Sequence, residues 1–221
     1  MQGKAADDPR VKYSVTPTAQ FSGDIVAVAH SPSGALYALL ADATGHGLAA
    51  AISVLPVLQV FFGMAKKNLS IGLMASEINR HLMSTLPVGR FVAATMVRVD
   101  AGEGELWVGG TPEVLRIDRS GAVVERFASA NLPLGIDGDD ATNQPSQRFT
   151  WRSGDQLVLC SDGLVEAQAL HGDAFGQQRF EQALQESAPA RRHDAVRAAL
   201  AMHLDGALAH DDVSLMEIDL D

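Results

Sequence analysis

The chain has 221 residues, a single cysteine and a shortage of basic charge. One cysteine, Cys160, excludes an internal disulfide framework and a cysteine-rich zinc site. It sits inside LVLCSD and reads as a small buried hydrophobe. Such sparing cysteine use fits a reducing cytoplasm, the expected location. Lys and Arg total 17 against 27 Asp and Glu, a formal net charge of −10. A phosphate backbone demands a basic face, so nucleic acid is not an expected partner. Phosphate groups stay within reach only if cations supply the positive charge. The N-terminal MQGKAADDPR lacks an apolar segment, so no signal peptide is read there. No internal repeat, low-complexity tract or domain linker is visible.

One apolar run needs separate treatment. LAAAISVLPVLQVFFGMA, residues 48 to 65, carries no charge and approaches the length of a bilayer span. Pro56 and Gln59 interrupt it, and its first turns are mostly alanine, so a membrane span is rejected. A helix that is apolar all round is what burial between a sheet and another element produces. Any remaining exposed face suits a partner or a homodimer contact.

With 47% hydrophobic residues the chain can bury one large core. KYSVTPT (12–18) and DIVAVAHS (24–31) read as strands, and PSG (32–34) turns the second into ALYALLAD (35–42), a β-hairpin. A helix follows from Gly47 to Lys67, kinked at Pro56, which lacks a backbone donor. Ile71, Met74, Ala75, Ile78 and Leu82 recur at helical spacing and predict a second helix over 70–86. FVAATMVRVD (91–100) reads as a strand that ends in a turn at AGEG, and ELWVGG, EVLRID and AVVERFAS, separated by GGTP and RSG, follow as a β-meander. A polar loop covers 135–147, FTW and QLVLCSD (156–162) are strands, helices lie near 176–187 and 192–208, and the chain ends in a strand at 212–220. This order lacks βα alternation. It predicts an α+β fold of antiparallel sheets layered against helices. The first 11 residues read as a flexible N-terminal segment and 12–221 as one domain.

Four places put aspartate where an apolar strand starts or stops: Asp24 in SGD, Asp42 in LLADATGHGLAAA, Asp162 in LVLCSDGLVE, and Asp211 with Asp212 in HDDVSL. One such residue alone is ordinary turn chemistry. Four can share a pocket, because the strand ends of one sheet converge on one rim. Clustered carboxylates repel unless a cation neutralises them. Oxygen-only donors select hard divalent ions, Mg²⁺ or Mn²⁺. Two such ions, about 3.5–4 Å apart, activate a bridging water and clamp a phosphoryl group. The glycine turn after Asp42 could instead cradle a phosphate at a helix N-terminus, but GHGLAA lacks the lysine of the phosphate-binding loop. Asp42 is therefore read as a metal ligand.

In this order the motifs FSGD, LLADATGHGLAAA, LVLCSDGLVEA and HDDVSL resemble the PPM family of metal-dependent Ser/Thr protein phosphatases. The nearer match is its bacterial SpoIIE-like branch, which typically reads GGD…D-x-SGHG-x-x-AA…SDG-x-x-E…DD-x-T. The resemblance runs from about Tyr13 to the end, and GRFVAATMVRVD and NLPLGI belong to it. It implies a four-layer sandwich, two antiparallel β-sheets flanked by helices. It implies two Mn²⁺ or Mg²⁺ ions bridged by Asp42, with Asp24 and the Ala43 carbonyl as further ligands. Asp162 and Asp211 would hold the second ion, while Asp212 falls on a position less directly a ligand. The implied reaction is phosphoserine or phosphothreonine hydrolysis by metal-activated water, without a phosphoenzyme. The implied substrate is a phosphorylated anti-sigma-factor antagonist, and the LLADATGHGLAAAISVLP and GGTP segments resemble phosphatases that follow a receiver domain in response regulators.

The chain departs from the pattern in three places. SGD stands for GGD, Ile25-Val26-Ala27 replaces an aromatic-Asp pair, and GGTPEVL replaces AGHPP, which removes a histidine. His46 is a candidate for proton transfer or for fixing the TGHG turn. His30, His81, His171, His193, His203 and His210 lack metal spacing and read as structural or solvated. Glu166 reads as a supporting acid. Asp137, Asp139 and Asp140 lack the glycine and terminal glutamate of a calcium loop and read as a solvated turn. Arg191 and Arg192 read as a surface pair at a helix start. Arg90 and Arg152 are the basic residues considered for the substrate phosphate, with a structural role preferred for each. The alternative to an enzyme is a catalytically silent domain of the same fold that signals through partner contact.

Overall fold

The tertiary structure is a computed structural model that describes residues 8–45, 47–136, 145–169 and 172–221. His46, His171, Asp137, Asp139 and Asp140 lie outside the described residues. The strands are β1 (Val11–Thr16), β2 (Asp24–His30), β3 (Leu36–Ala43), β4 (Val92–Asp100), β5 (Glu103–Gly109), β6 (Val114–Ile117), β7 (Val123–Phe127), β8 (Gln147–Thr150), β9 (Asp155–Cys160) and β10 (Val213–Leu220). The helices are α1 (Leu48–Ser53), α2 (Leu55–Ala65), α3 (Ile71–Thr85), α4 (Asp162–Val165), α5 (Gly176–Gln185) and α6 (Arg192–Leu204). A short 3₁₀ turn, Pro189–Arg191, leads into α6.

Two five-stranded sheets form, in the orders β1-β10-β9-β6-β7 and β2-β3-β4-β5-β8. Every strand pairing in them is antiparallel. The four-layer α+β sandwich implied by the sequence is the one observed. Strand alternation builds it. In β3, Leu36, Ala38 and Leu40 face the second sheet, where they meet Leu157, Leu159, Met216 and Ile218. Tyr37, Leu39 and Ala41 face the other way, against Val57, Phe61, Met74 and Ile78 of α2 and α3. A central strand buried on both faces reads as a continuous apolar run, which is why LYALLADA shows no polar alternation. On the far side of the sandwich, Val158, Cys160, Val213 and Leu215 pack on Phe180, Leu184 and Val196 of α5 and α6.

Several elements differ from expectation. The helix predicted over 47–67 is two helices that break at Val54, not at Pro56. Pro56 falls in the first turn of α2, where a missing N–H costs nothing. Only 33% of Leu48–Ala65 is buried, although the run is long and apolar enough for a membrane span. One face packs on β2 and α3, while Leu48, Ile52 and Leu55 are exposed. The helix over 70–86 is observed as α3, with Ser70 accepting the Leu73 N–H at its start. α4 is an unpredicted single turn after β9. Arg192 is buried, not a surface residue. It donates to Gln156 Oε1 and to the carbonyls of Asp118 and Arg119, which fixes the start of α6. Asp8 and Arg10, placed by sequence in the N-terminal segment, are tied to each other and to His30, and the Arg10 carbonyl accepts the Asp219 N–H.

Candidate metal centre

The sheet registers carry the acids to one end of the sandwich. Asp24 is directly opposite Asp42 in the β2–β3 ladder. By alternation both belong to the face of Val26, Val28, Ala38 and Leu40, the face turned toward the other sheet. In that other sheet Leu215 pairs with Cys160, so Asp162 just after β9 and Asp211 just before β10 leave at the same end. β10 meets β2 across the sandwich, which brings the two sets of strand ends together.

The carboxylates are then held close to one another. Asp24 is only 4% exposed, and neither of its oxygens has a hydrogen-bond partner among the described residues. Burial pushes its carboxyl up to about 7. The hydroxyls of Ser214 and Ser161 lie near enough to work against that rise, without the geometry of a formed hydrogen bond, while the Asp212 charge adds to it. Asp42 lies within hydrogen-bonding reach of the carboxyls of Asp24 and Asp162. Burial, then the charges of Asp24, Asp162 and Asp211, push it up to about 9. Burial and the Asp211 charge also raise Asp162, against the pull of the Gly163 N–H. One Asp162 oxygen is buried and unpartnered. Carboxyls raised by one another in this way favour a bound proton or a cation among them.

The supporting residues set this arrangement. Asp212 is 3% exposed and accepts four hydrogen bonds: Thr18 N–H and Oγ1–H on Oδ1, Ser22 Oγ–H and Gly23 N–H on Oδ2. Burial works to raise its carboxyl, but these donors outweigh it and hold Asp212 below the usual range. Asp212 thus ties the SGD loop to the start of β10. Gly163 allows α4 to sit against that same segment, since a Cβ there would stand 2.1 Å from the Asp212 carbonyl oxygen. Gly23 lies over the turn after Asp42, where a Cβ would meet the Ala43 carbonyl at 3.0 Å and Ala50 Cβ at 3.1 Å. Thr44 extends the β3–β4 ladder by exchanging bonds with Phe91, and Arg90 Nη1 donates to the Thr44 carbonyl.

Asp24, Asp42, Asp162 and Asp211 are therefore neighbours at one end of the sandwich, and Ala43 ends β3 beside them. Asp211 is exposed and turns one oxygen back onto the Asp212 N–H. Among the described residues, no group of three or more His, Cys, Asp or Glu side chains is arranged to hold a metal as it stands. The donor chemistry nonetheless fits a hard cation. All donors are oxygens, two of them are buried and unpartnered on one aspartate, and their mutual repulsion is what a divalent ion removes. Arg152 is at the β8–β9 turn, the other end of β9 from Asp162, so it does not serve this site. Arg90 grips the turn itself. Glu166 is exposed, His30 bonds Asp8, and His203 bonds the Asp173 carbonyl. Sequence reasoning missed Ser22, Thr18, Ser161 and Ser214, because serine and threonine near turns carry no distinguishing local signal.

Comparison with known proteins agrees with the fold. The family model described as Stage II sporulation protein E (SpoIIE) matches residues 32–221. No curated protein matches the sequence significantly. Among solved structures, the SiaA-PP2C domain of Pseudomonas aeruginosa is similar, with a TM-score of 0.81 at 18% identity over 96% of this chain and 85% of that one. The PP2C phosphatase domain of SpoIIE from Bacillus subtilis, solved with a fragment of its regulatory domain, gives 0.76 at 15% identity over 96% of this chain and 63% of that one. The serine/threonine phosphatase Stp1 from Staphylococcus aureus gives 0.70 at 13% identity over 96% and 94%. At these identities the structural likeness speaks for the fold.

Proposed function

The chain belongs to the SpoIIE family, and from that premise we propose that it is a metal-dependent phosphoserine/phosphothreonine protein phosphatase domain. The observation that carries the reading is Asp24, a buried carboxylate with both oxygens unpartnered, set opposite Asp42. Asp24, Asp42, Asp162, Asp211 and the Ala43 carbonyl would hold two Mn²⁺ or Mg²⁺ ions. When bound, the ions supply the positive charge that this acidic site lacks and an activated water for attack on phosphorus. The protein's own contribution is placement. β2 and β3 set Asp24 against Asp42, α4 sets Asp162 beside Asp211, and Asp212 holds the loop that carries Asp24. The substrate proposed is a phosphorylated anti-sigma-factor antagonist in the cytoplasm, with an upstream receiver domain as regulator. The exposed face of α1 and α2, with Leu48, Ile52 and Leu55, supports contact with such a regulator or with a second copy.

The test is phosphate release from an aryl phosphate by metal-stripped protein, with and without Mn²⁺, beside Asp162→Asn. Turnover that requires Mn²⁺ and disappears in the variant is expected. Calorimetric titration of Mn²⁺ decides a negative result. Binding without turnover points to a missing activator or to selectivity for the true substrate. No binding sinks the phosphatase reading and leaves a binding module that uses the exposed α1–α2 face.

A further inference from the structure

Ser22 replaces the first glycine of the GGD pattern, and its hydroxyl occupies a specific place in the structure. It accepts the Asp24 N–H at 3.0 Å and donates to Asp212 Oδ2 at 2.8 Å. We propose that Ser22 is a positioning residue for the metal ligand Asp24, linking the Asp24 backbone to the buried Asp212 carboxylate. The proposal rests on the metal-site reading above.

The need for such a link follows from Asp24 itself. Neither carboxylate oxygen has a hydrogen-bond partner among the described residues, so no formed bond to the side chain fixes it before a cation arrives. Its position is inherited from the backbone at the start of β2. That backbone is reached from Asp212 in two ways: directly through the Gly23 N–H, and through the Ser22 hydroxyl to the Asp24 N–H. A hydroxyl has one proton and two lone pairs, so it can accept from one neighbour while donating to the other. The bond to Asp212 is charge-assisted, which makes it the stronger kind. Asp212 is in turn fixed by both donors of Thr18.

No neighbouring residue can take over. Gly23 has no room for a side chain, since a Cβ would stand 3.0 Å from the Ala43 carbonyl and 3.2 Å from that of Gly45. The loop is therefore threaded between Asp212 and the turn after Asp42, and residue 22 is the one whose side chain bridges it. Alanine or glycine at 22 would leave the Asp24 N–H without its acceptor. Threonine keeps the hydroxyl.

The test compares wild type, Ser22→Ala and Ser22→Thr in two measurements: calorimetric Mn²⁺ titration, and amide hydrogen exchange of the metal-free protein at Gly23 and Asp24. Loss of one such bond is expected to weaken Mn²⁺ binding about three- to tenfold in Ser22→Ala. Exchange at Asp24 should accelerate by a similar factor while β9 and β10 amides stay as they are. Ser22→Thr should restore both to within about twofold of wild type. Wild-type affinity and exchange in Ser22→Ala would overturn the proposal. So would equal losses in Ser22→Ala and Ser22→Thr, which would assign the effect to loop packing. If wild type binds no Mn²⁺, the metal reading fails separately, and exchange at Asp24 alone decides whether the hydroxyl holds the backbone.

Discussion

Gly163→Ala separates two physical arguments that predict opposite signs. Gly163 lies inside α4, with none of the positive φ that reserves a position for glycine. Helix propensity alone then favours alanine by about 0.8–1 kcal/mol. The tertiary structure says otherwise. A Cβ at this position would stand 2.1 Å from the Asp212 carbonyl oxygen and 3.1 Å from its carbonyl carbon. Real contacts of this type begin near 3.0 Å, so the two backbones must part by about 0.9 Å. Neither side can swing away as a long side chain does. Overpacking of this kind costs about 1–3 kcal/mol, which exceeds the propensity gain at all but its lower end. A backbone clash as close as 2.1 Å belongs in the upper part of that cost, about 2–3 kcal/mol, so the expected net effect is destabilisation by about 1–2 kcal/mol. The shift also pushes Asp162 away from Asp211, so Mn²⁺ affinity should fall with stability. Urea unfolding of the metal-free variant measures the first effect and calorimetric titration the second. A Gly163→Ala protein as stable as wild type, or more so, would refute the reasoning, because propensity would then have outweighed the contact.

Two further predictions come from other parts of the structure. Asp24 and Asp42 are pushed to about 7 and about 9, above the ordinary carboxylate value of 3.8. The folded metal-free protein therefore holds more protons than the unfolded chain between those limits, and the stability from these groups falls as pH rises from about 4 to about 9. Asp42→Asn removes much of that term, so the variant should gain on wild type in metal-free thermal melts as pH increases; parallel profiles would contradict the assigned repulsion. Arg192→Met strands Gln156 Oε1 and two backbone carbonyls at the base of α6, and should cost about 3 kcal/mol in urea unfolding, about 1 kcal/mol for each acceptor left unpaired. Gln156 is four strand steps, roughly 13 Å, from Cys160 at the end of β9 that Asp162 follows, so Mn²⁺ affinity should stay at the wild-type value. A large loss of affinity would show that the two ends of the sheet are coupled.

The sequence by itself determined the strands and the four acids, but not the sheet order: the meander expected through ELWVGG, EVLRID and AVVERFAS divides after β5, with β6 and β7 in the other sheet. Alternation and apolar runs are local properties, and β3 and α3 follow from them: LYALLADA is buried on both faces, and Ile71, Met74, Ala75, Ile78 and Leu82 share one helix face. Local pattern also misjudged the run over 48–65. An all-apolar helix reads as buried, yet burial depends on what lies opposite, and one side of α1 and α2, with Leu48, Ile52 and Leu55, is exposed. The acids were legible because aspartate at a strand end stands out against valine and leucine. Their support was not. Asp212 holds Thr18, Ser22 and Gly23 from about 190 positions away, Gly163 is required by a carbonyl nearly 50 residues on, and Arg192 is buried although its neighbour Arg191 is exposed. Serine, threonine and glycine near turns have many local uses. Only the packing of one sheet against the other decides which of them touch a carboxylate, because those contacts join segments from opposite ends of the chain.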